Sequence, residues 1–395
     1  MSDHPSDDPF GNIPFLGDLA RILGQQAGGG WEAAKQVAVS LATGGSVEPN
    51  VDPIERIAVE ELARVAELRV ADATELTLAR SGRLVILPVN RSEWARRTLD
   101  DYRPLFDGLS DALSGGLTSS GAAPEDSASS DPTMAMFEHL MRAMSPMVLG
   151  VMAGSLVGHL AQGALGQYDL PIPRPGGDEL LLCVPNLHQL SEEWSLPTDD
   201  LRLWLAIREI TTHAVMSVPH VRARLMDLLD RHARGFQSDP AALEHRLGDL
   251  GSMSSPDELQ RLFADPEVLL GAIRSPEQEA LEPQLHAVVA AITGYVDHIV
   301  DDIGSKLLTS HTQLTEALRR RRVEADPSDR FVERLLGLEL TQAQYDRGRS
   351  FVDGVLERGG AEALARLWDS ERELPTPNEL DAPGLWLARI DLPLD

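Results

Sequence analysis

Leu201-Arg-Leu-Trp-Leu-Ala-Ile-Arg-Glu-Ile-Thr-Thr-His-Ala-Val-Met-Ser217 runs into Val218-Pro-His-Val-Arg222, and the reading of this stretch governs the rest of the chain. The spacing predicts a helix from Leu201 to about Ser217, capped by Asp199 or Asp200 and ended by Pro219. From Thr198 onward nearly every segment reads the same way. Helices are predicted over 220–235, 241–250, 256–263, 276–307, 311–323, 330–336, 342–359 and 361–368.

Working back toward the start, a short helix is predicted from Trp31 to Thr43 and stops at Gly44-Gly45. After Pro53, Ile54, Ile57, Ala58, Leu62, Val65 and Leu68 keep a helical period to about Asp72. Arg83-Leu-Val-Ile-Leu-Pro-Val89 reads as a strand that Pro88 confines to an edge or an end. Ser92 caps a helix expected to reach Leu105, and Glu179 to Val184 is the second strand. The fold class is mainly α with a small β component. The expected organisation is a helical segment with one strand over 1–110, a linker or loop over 111–133, and a helical domain over 134–395 that packs with the first segment as one unit. Residues 114–133 lack periodic hydrophobes, which marks the linker.

Composition narrows the function. The 395 residues carry 35 Lys+Arg against 62 Asp+Glu, a formal charge of −27. That balance repels nucleic acid and anionic lipid, so neither is an expected partner. The start, Met1-Ser-Asp-His-Pro-Ser-Asp-Asp, is acidic and unlike a secretory signal. Cys183 is the only cysteine, so no intramolecular disulfide forms and a reducing, cytoplasmic location is expected. Its apolar setting, Leu180 to Val184, predicts a buried structural thiol. Met147 to Leu165 is the most apolar stretch, with Gly150, Gly154 and Gly158 at spacing four. It reads as a core helix approached closely by a neighbour rather than as a membrane span. Arg319 to Arg322 is the one basic cluster, expected to form a salt-bridged helix face, with anion binding as the alternative. Phosphate-loop, dinucleotide and serine-elbow motifs are absent.

Several segments together resemble a known family. They include Asn12-Ile-Pro14, Val65 to Thr74, Gly154 to Ala161, Gly166-Gln-Tyr-Asp-Leu-Pro171 and Val184-Pro-Asn186. Others are Leu203-Trp204, Val218-Pro219, Gly294-Tyr-Val-Asp-His298, Arg319-Arg320 and Pro375-Thr-Pro-Asn-Glu-Leu380. The resemblance is to the mainly actinobacterial zincin-like metalloproteases and hydrolases, some associated with deazaflavin-cofactor biosynthesis. It implies a zincin-like helical fold. It also implies a His-Glu-x-x-His helix, in which histidines at i and i+4 converge on one zinc and the Glu serves as general base. A third ligand comes from a Glu-Gly-Tyr pattern on another helix.

This chain departs at each ligand. Set against the family pattern, Glu209 takes the general-base position, Arg208 and Thr212 stand where the two histidines would be, and Thr293 stands at the third ligand. Arg cannot ligate a metal and repels a divalent cation. The resemblance therefore implies a zincin-like protein without its zinc ligands, a pseudoenzyme with a binding or regulatory role, an unidentified protein or peptide partner, and no cofactor. Two alternatives stand beside it. One is an active zinc hydrolase using a shifted set of Glu209, His213 and Asp297. The other is a helical partner-binding protein with no small-molecule pocket.

Overall fold

The structure is a computed structural model and describes residues 30–80, 82–119, 150–175, 177–238, 272–273, 275–324, 327–338 and 340–392. In chain order come α1 (Gly30–Ala42), α2 (Pro53–Thr74), β1 (Val85–Val89) and α3 (Arg91–Ser119). A helix over 150–163, α4, leads to β2 (Glu179–Cys183), α5 (Val184–Glu193), α6 (Thr198–Ser217) and α7 (Pro219–Arg234). Then follow β3 (Gln237–Ser238), β4 (Ala272–Ile273), α8 (Pro276–Leu307), α9 (His311–Val323), α10 (Pro327–Leu335), α11 (Gln342–Ala365), α12 (Pro377–Asp381) and α13 (Pro383–Ile390). The mainly α class with a small β part is what the sequence predicts. The predicted helices over 241–250 and 256–263, and the linker from 120 onward, lie outside the described residues.

β1 and β2 pair in parallel, from Val85 opposite Glu179 to Val89 opposite Cys183. β1 is an edge, so the N–H that Pro88 lacks is not missed by a second ladder. On the other side of β2, a single bridge joins Gly166 to Leu182. Cys183 is fully buried there, and burial pushes its thiol up to about 12.

α6 is the axle of the molecule. It packs against α2, α5, α7, α8 and β2, and Leu201, Leu205, Ile207, Ile210 and Val215 are wholly buried. The predicted cap is replaced: α6 begins at Thr198, and Asp199 and Asp200 fall in its first turn. Asp200 instead accepts hydrogen bonds from the Thr309 hydroxyl at 2.8 Å and from the Ser310 N–H and hydroxyl at 2.8 and 2.7 Å. This fixes the start of α9 against α6. α8 starts in a capping box, Ser275 with Gln278, and runs unbroken through Pro283. α11 divides where Gly360 takes φ of 71°, as the sequence predicts for helices over 342–359 and 361–368.

Two helix crossings are so tight that only glycine fits. A Cβ on Gly154 of α4 would lie 2.2 Å from the Ala34 carbonyl oxygen of α1. A Cβ on Gly348 of α11 would lie 2.1 Å from the Ala290 carbonyl oxygen of α8, and Gly294 meets Gly348 in return. The glycine-spaced helix is thus a core helix approached by a neighbour. Among the described residues no helix is long and apolar enough to cross a membrane.

In three places the structure departs from the sequence reading or adds to it. α3 continues past Leu105 and Pro104 to Ser119, because Leu105, Phe106 and Leu109 are buried and the helix packs on α7. α5, α12 and α13 went unread; α5 starts directly after β2 with Pro185 in its first turn, so no loop marks it. In α2 the larger apolar residues do not face the core. Ile54, Ile57, Val65 and Leu68 are exposed, while Val59, Ala63, Ala66 and Val70 are buried against α6. Small side chains let the two helices approach closely, which outweighs burying larger groups less tightly. Glu55 holds the start of α2, bonding His188 at 2.8 Å and pairing with Arg202 of α6.

Replacing Gly154 by Ala is expected to cost about 2–3 kcal/mol, the upper range for overpacking. Gly163→Ala, where the nearest atom is Arg321 Nη2 at 3.7 Å, is expected to be neutral. Thermal denaturation of the two variants checks the difference.

Candidate functional site

Arg208 and Glu209 leave α6 side by side. The Glu209 carboxylate is 0% exposed, so both oxygens must be satisfied from within the chain. One accepts from Arg208 Nη1 at 2.7 Å and the other from the Tyr168 backbone N–H at 2.7 Å. Gly166 forms the wall: a Cβ there would sit 2.3 Å from Glu209 Cδ. Burial pushes Glu209 up to about 7 despite the Arg208 guanidinium. Burial also opposes the charge on Arg208, but the Glu209 and Asp169 carboxylates outweigh it, and Arg208 is held above the usual arginine range. Asp169 lies 3.7 Å from Arg208 Nη1 and accepts from the Leu165 N–H at 2.8 Å.

His213, one turn further along α6, faces a different neighbourhood. Its Nδ1 is 3.0 Å from the Tyr168 hydroxyl, and its Nε2 is 3.6 Å from Asp178. Burial lowers His213 to about 4, so the ring is neutral near pH 7. Tyr168 thus bridges Glu209 through its backbone and His213 through its side chain.

Beside Arg208 lies a cavity of about 360 Å³. Trp94, Trp194, Trp204 and Tyr345 supply aromatic surface, and Arg208, Arg321 and Arg322 reach it from α6 and α9. Glu209, Thr212, His213 and Thr293 are not among its lining residues. The basic cluster is engaged rather than free: Arg320 pairs with Glu316 at 2.7 Å, Arg321 donates to the Gly163 carbonyl, and Arg322 grips Asp297 with two bonds of 3.0 Å. Arg322 also lies over the Tyr345 ring at 4.0 Å. The salt-bridged reading of Arg319 to Arg322 describes Arg320 and Arg322, while Arg321 and Arg322 also line the cavity.

The residues that the sequence resemblance sets at ligand positions do not fit zinc. Arg208 has no lone pair to donate. Thr212 turns its hydroxyl onto the Arg208 carbonyl at 2.8 Å, and Thr293 turns its own onto the Val289 and Ala290 carbonyls at 3.0 and 3.2 Å. The shifted set is not brought together either. Glu209 is held by Arg208, His213 by Tyr168, and Asp297 by Arg322. Among the described residues no three His, Cys, Asp or Glu side chains are placed to hold a metal.

Sequence reasoning located Arg208 and Glu209 but not Gly166, Tyr168, Asp169 or Tyr345. The signal for the first three was present in Gly166-Gln-Tyr-Asp-Leu-Pro171, whose role shows only once the chain brings it against α6. Gly166 leaves room for the carboxylate, Tyr168 caps it, and Asp169 balances Arg208.

With this geometry in view, the comparisons place the chain. Residues 30–387 match the model of the zincin-like metallopeptidases, and the chain belongs to that family. Among solved structures it is similar to a protein from Chloroflexus aurantiacus described as a candidate hydrolase with a novel fold. The two are 25% identical with a TM-score of 0.62, over 92% of this chain and 99% of that one. No curated protein matches.

The raised Glu209 value sets a pH test. Its contribution to stability is full below the ordinary value of 4.5 and is lost as pH rises through about 7. Melting temperatures of the wild type and Glu209→Gln, taken from pH 4.5 to 8, should show the wild type losing ground to the variant across that window. Parallel curves would show that Glu209 does not titrate there.

Proposed function

We propose that this chain is a zincin-like protein that carries out no zinc-dependent hydrolysis and uses the cavity beside Arg208 to bind a peptide segment, in a regulatory rather than catalytic role. The observation that carries the reading is the Arg208–Glu209 contact of 2.7 Å, between the residues that the sequence resemblance sets at a ligand and the base position. A carboxylate held by a guanidinium and a backbone N–H, without a cavity-facing oxygen, has no water to activate. The two threonine hydroxyls support it by spending their protons on their own helices.

An open cavity favours a ligand over a scaffold whose pocket is plugged by side chains. Its lining combines indole and phenol faces with arginines and the carboxylates of Asp169, Glu193, Glu324 and Glu333. That mixture suits a peptide, which offers apolar side chains together with both signs of charge. It suits a polyanion poorly, in keeping with the formal charge of −27. A single buried cysteine accords with a cytoplasmic setting. The hydrolase description of the Chloroflexus protein is not extended to this chain, because the donor set here cannot support the family's chemistry.

Metal analysis tests the reading. Untagged protein equilibrated with zinc and then desalted is expected to retain substoichiometric metal, whereas Arg208→His, Thr212→His and Thr293→Glu combined should bind about one equivalent. Stoichiometric zinc on the wild type, abolished by Glu209→Gln, would defeat the proposal. A well-folded triple variant that stays metal-free would show that these are not the ligand positions.

A further inference from the structure

The outward face of α2 is built to pair with itself. Among the described residues nine large hydrophobic side chains are exposed, and four of them are Ile54, Ile57, Val65 and Leu68, all on this helix. At 100° per residue they fall with Glu61 within an arc of about 80°, opposite the Val59, Ala63, Ala66 and Val70 face that packs on α6. The stripe is about 21 Å long. An exposed apolar stripe of this kind on a rigid, anchored helix marks an interaction surface.

The spacing indicates the partner. Ile54 and Leu68 lie seven residues either side of Glu61, and Ile57 and Val65 lie four either side. A two-fold axis through Glu61 therefore sets Ile54 against Leu68 and Ile57 against Val65 in an antiparallel pair. Isologous contact requires this self-complementarity. Charge agrees with it. Glu61 and Arg64 are both exposed. In the pair each Arg64 comes within about one helical turn of the opposite Glu61, so two reciprocal attractions offset the meeting of the two glutamates at the axis.

We propose that the chain forms a two-fold symmetric homodimer through α2, with the helices antiparallel and Glu61 at the axis. A single helix pair lies at or below the lower end of stable interfaces, about 1,200 Å², so association is weak and depends on concentration.

Light scattering coupled to size exclusion, over a concentration series, tests this. The wild type is expected to shift from one chain toward two, while Leu68→Glu stays a single chain with an unchanged melting temperature. Glu61→Cys places one thiol at the axis, and on mild oxidation it should form a covalent dimer much faster than Glu75→Cys, an exposed control just past the end of α2. Cys183 is fully buried and does not compete. A wild type that remains a single chain at every concentration would overturn the proposal, leaving the face to a different protein. So would equal cross-linking rates for the two cysteine variants.

Discussion

The buried carboxylate of Glu209 is the constraint around which the surrounding chain is arranged. An ionised carboxylate without water is costly unless it is paired and hydrogen-bonded. The Arg208 guanidinium and the Tyr168 N–H supply the bonds, and Gly166 supplies the space. These contacts hold the Gly166-to-Pro171 segment against α6, and the same segment bridges to β2 at Leu182. Trp94 adds a bond from its indole to the Gly166 carbonyl at 2.9 Å, so α3 is tied to the same point. One buried carboxylate thus fixes where a loop, a strand and two helices meet. Its raised value near 7 follows from that burial.

Pairing also explains the character of the cavity. Three arginines reach it, yet each is committed: Arg208 to Glu209, Arg321 to the Gly163 carbonyl, Arg322 to Asp297 and the Tyr345 ring. Anchored guanidiniums keep their positions without a ligand and lose little rotamer freedom when one arrives. The cavity therefore has fixed polar edges around an aromatic middle, which favours shape and pattern over bulk charge attraction.

Much of this was legible in the sequence, for identifiable reasons. Long helices with repeated apolar spacing and clear stops, such as α6, α8 and α9, were read nearly to their ends. The pairing of Arg83 to Val89 with Glu179 to Val184 was not, because parallel pairing across that separation leaves no local mark. α2 was legible as a helix, but its period alone does not say which face is buried. Both faces are apolar, and periodicity favours the larger residues, whereas close packing on α6 selects Val59, Ala63, Ala66 and Val70. In the site, Arg208 and Glu209 stood out through adjacency on one helix. Tyr168 and Asp169 are about forty positions away, and nothing short of the folded chain puts them within reach of Glu209 and Arg208.

Arg208 is a cation that the polypeptide itself provides. A charge covalently joined to the backbone arrives with synthesis, is present at one copy in every molecule, and cannot be extracted by a chelator or displaced by a competing ion. The carboxylates of Glu209 and Asp169 have their counter-charge from the moment the chain folds, whatever the mineral supply.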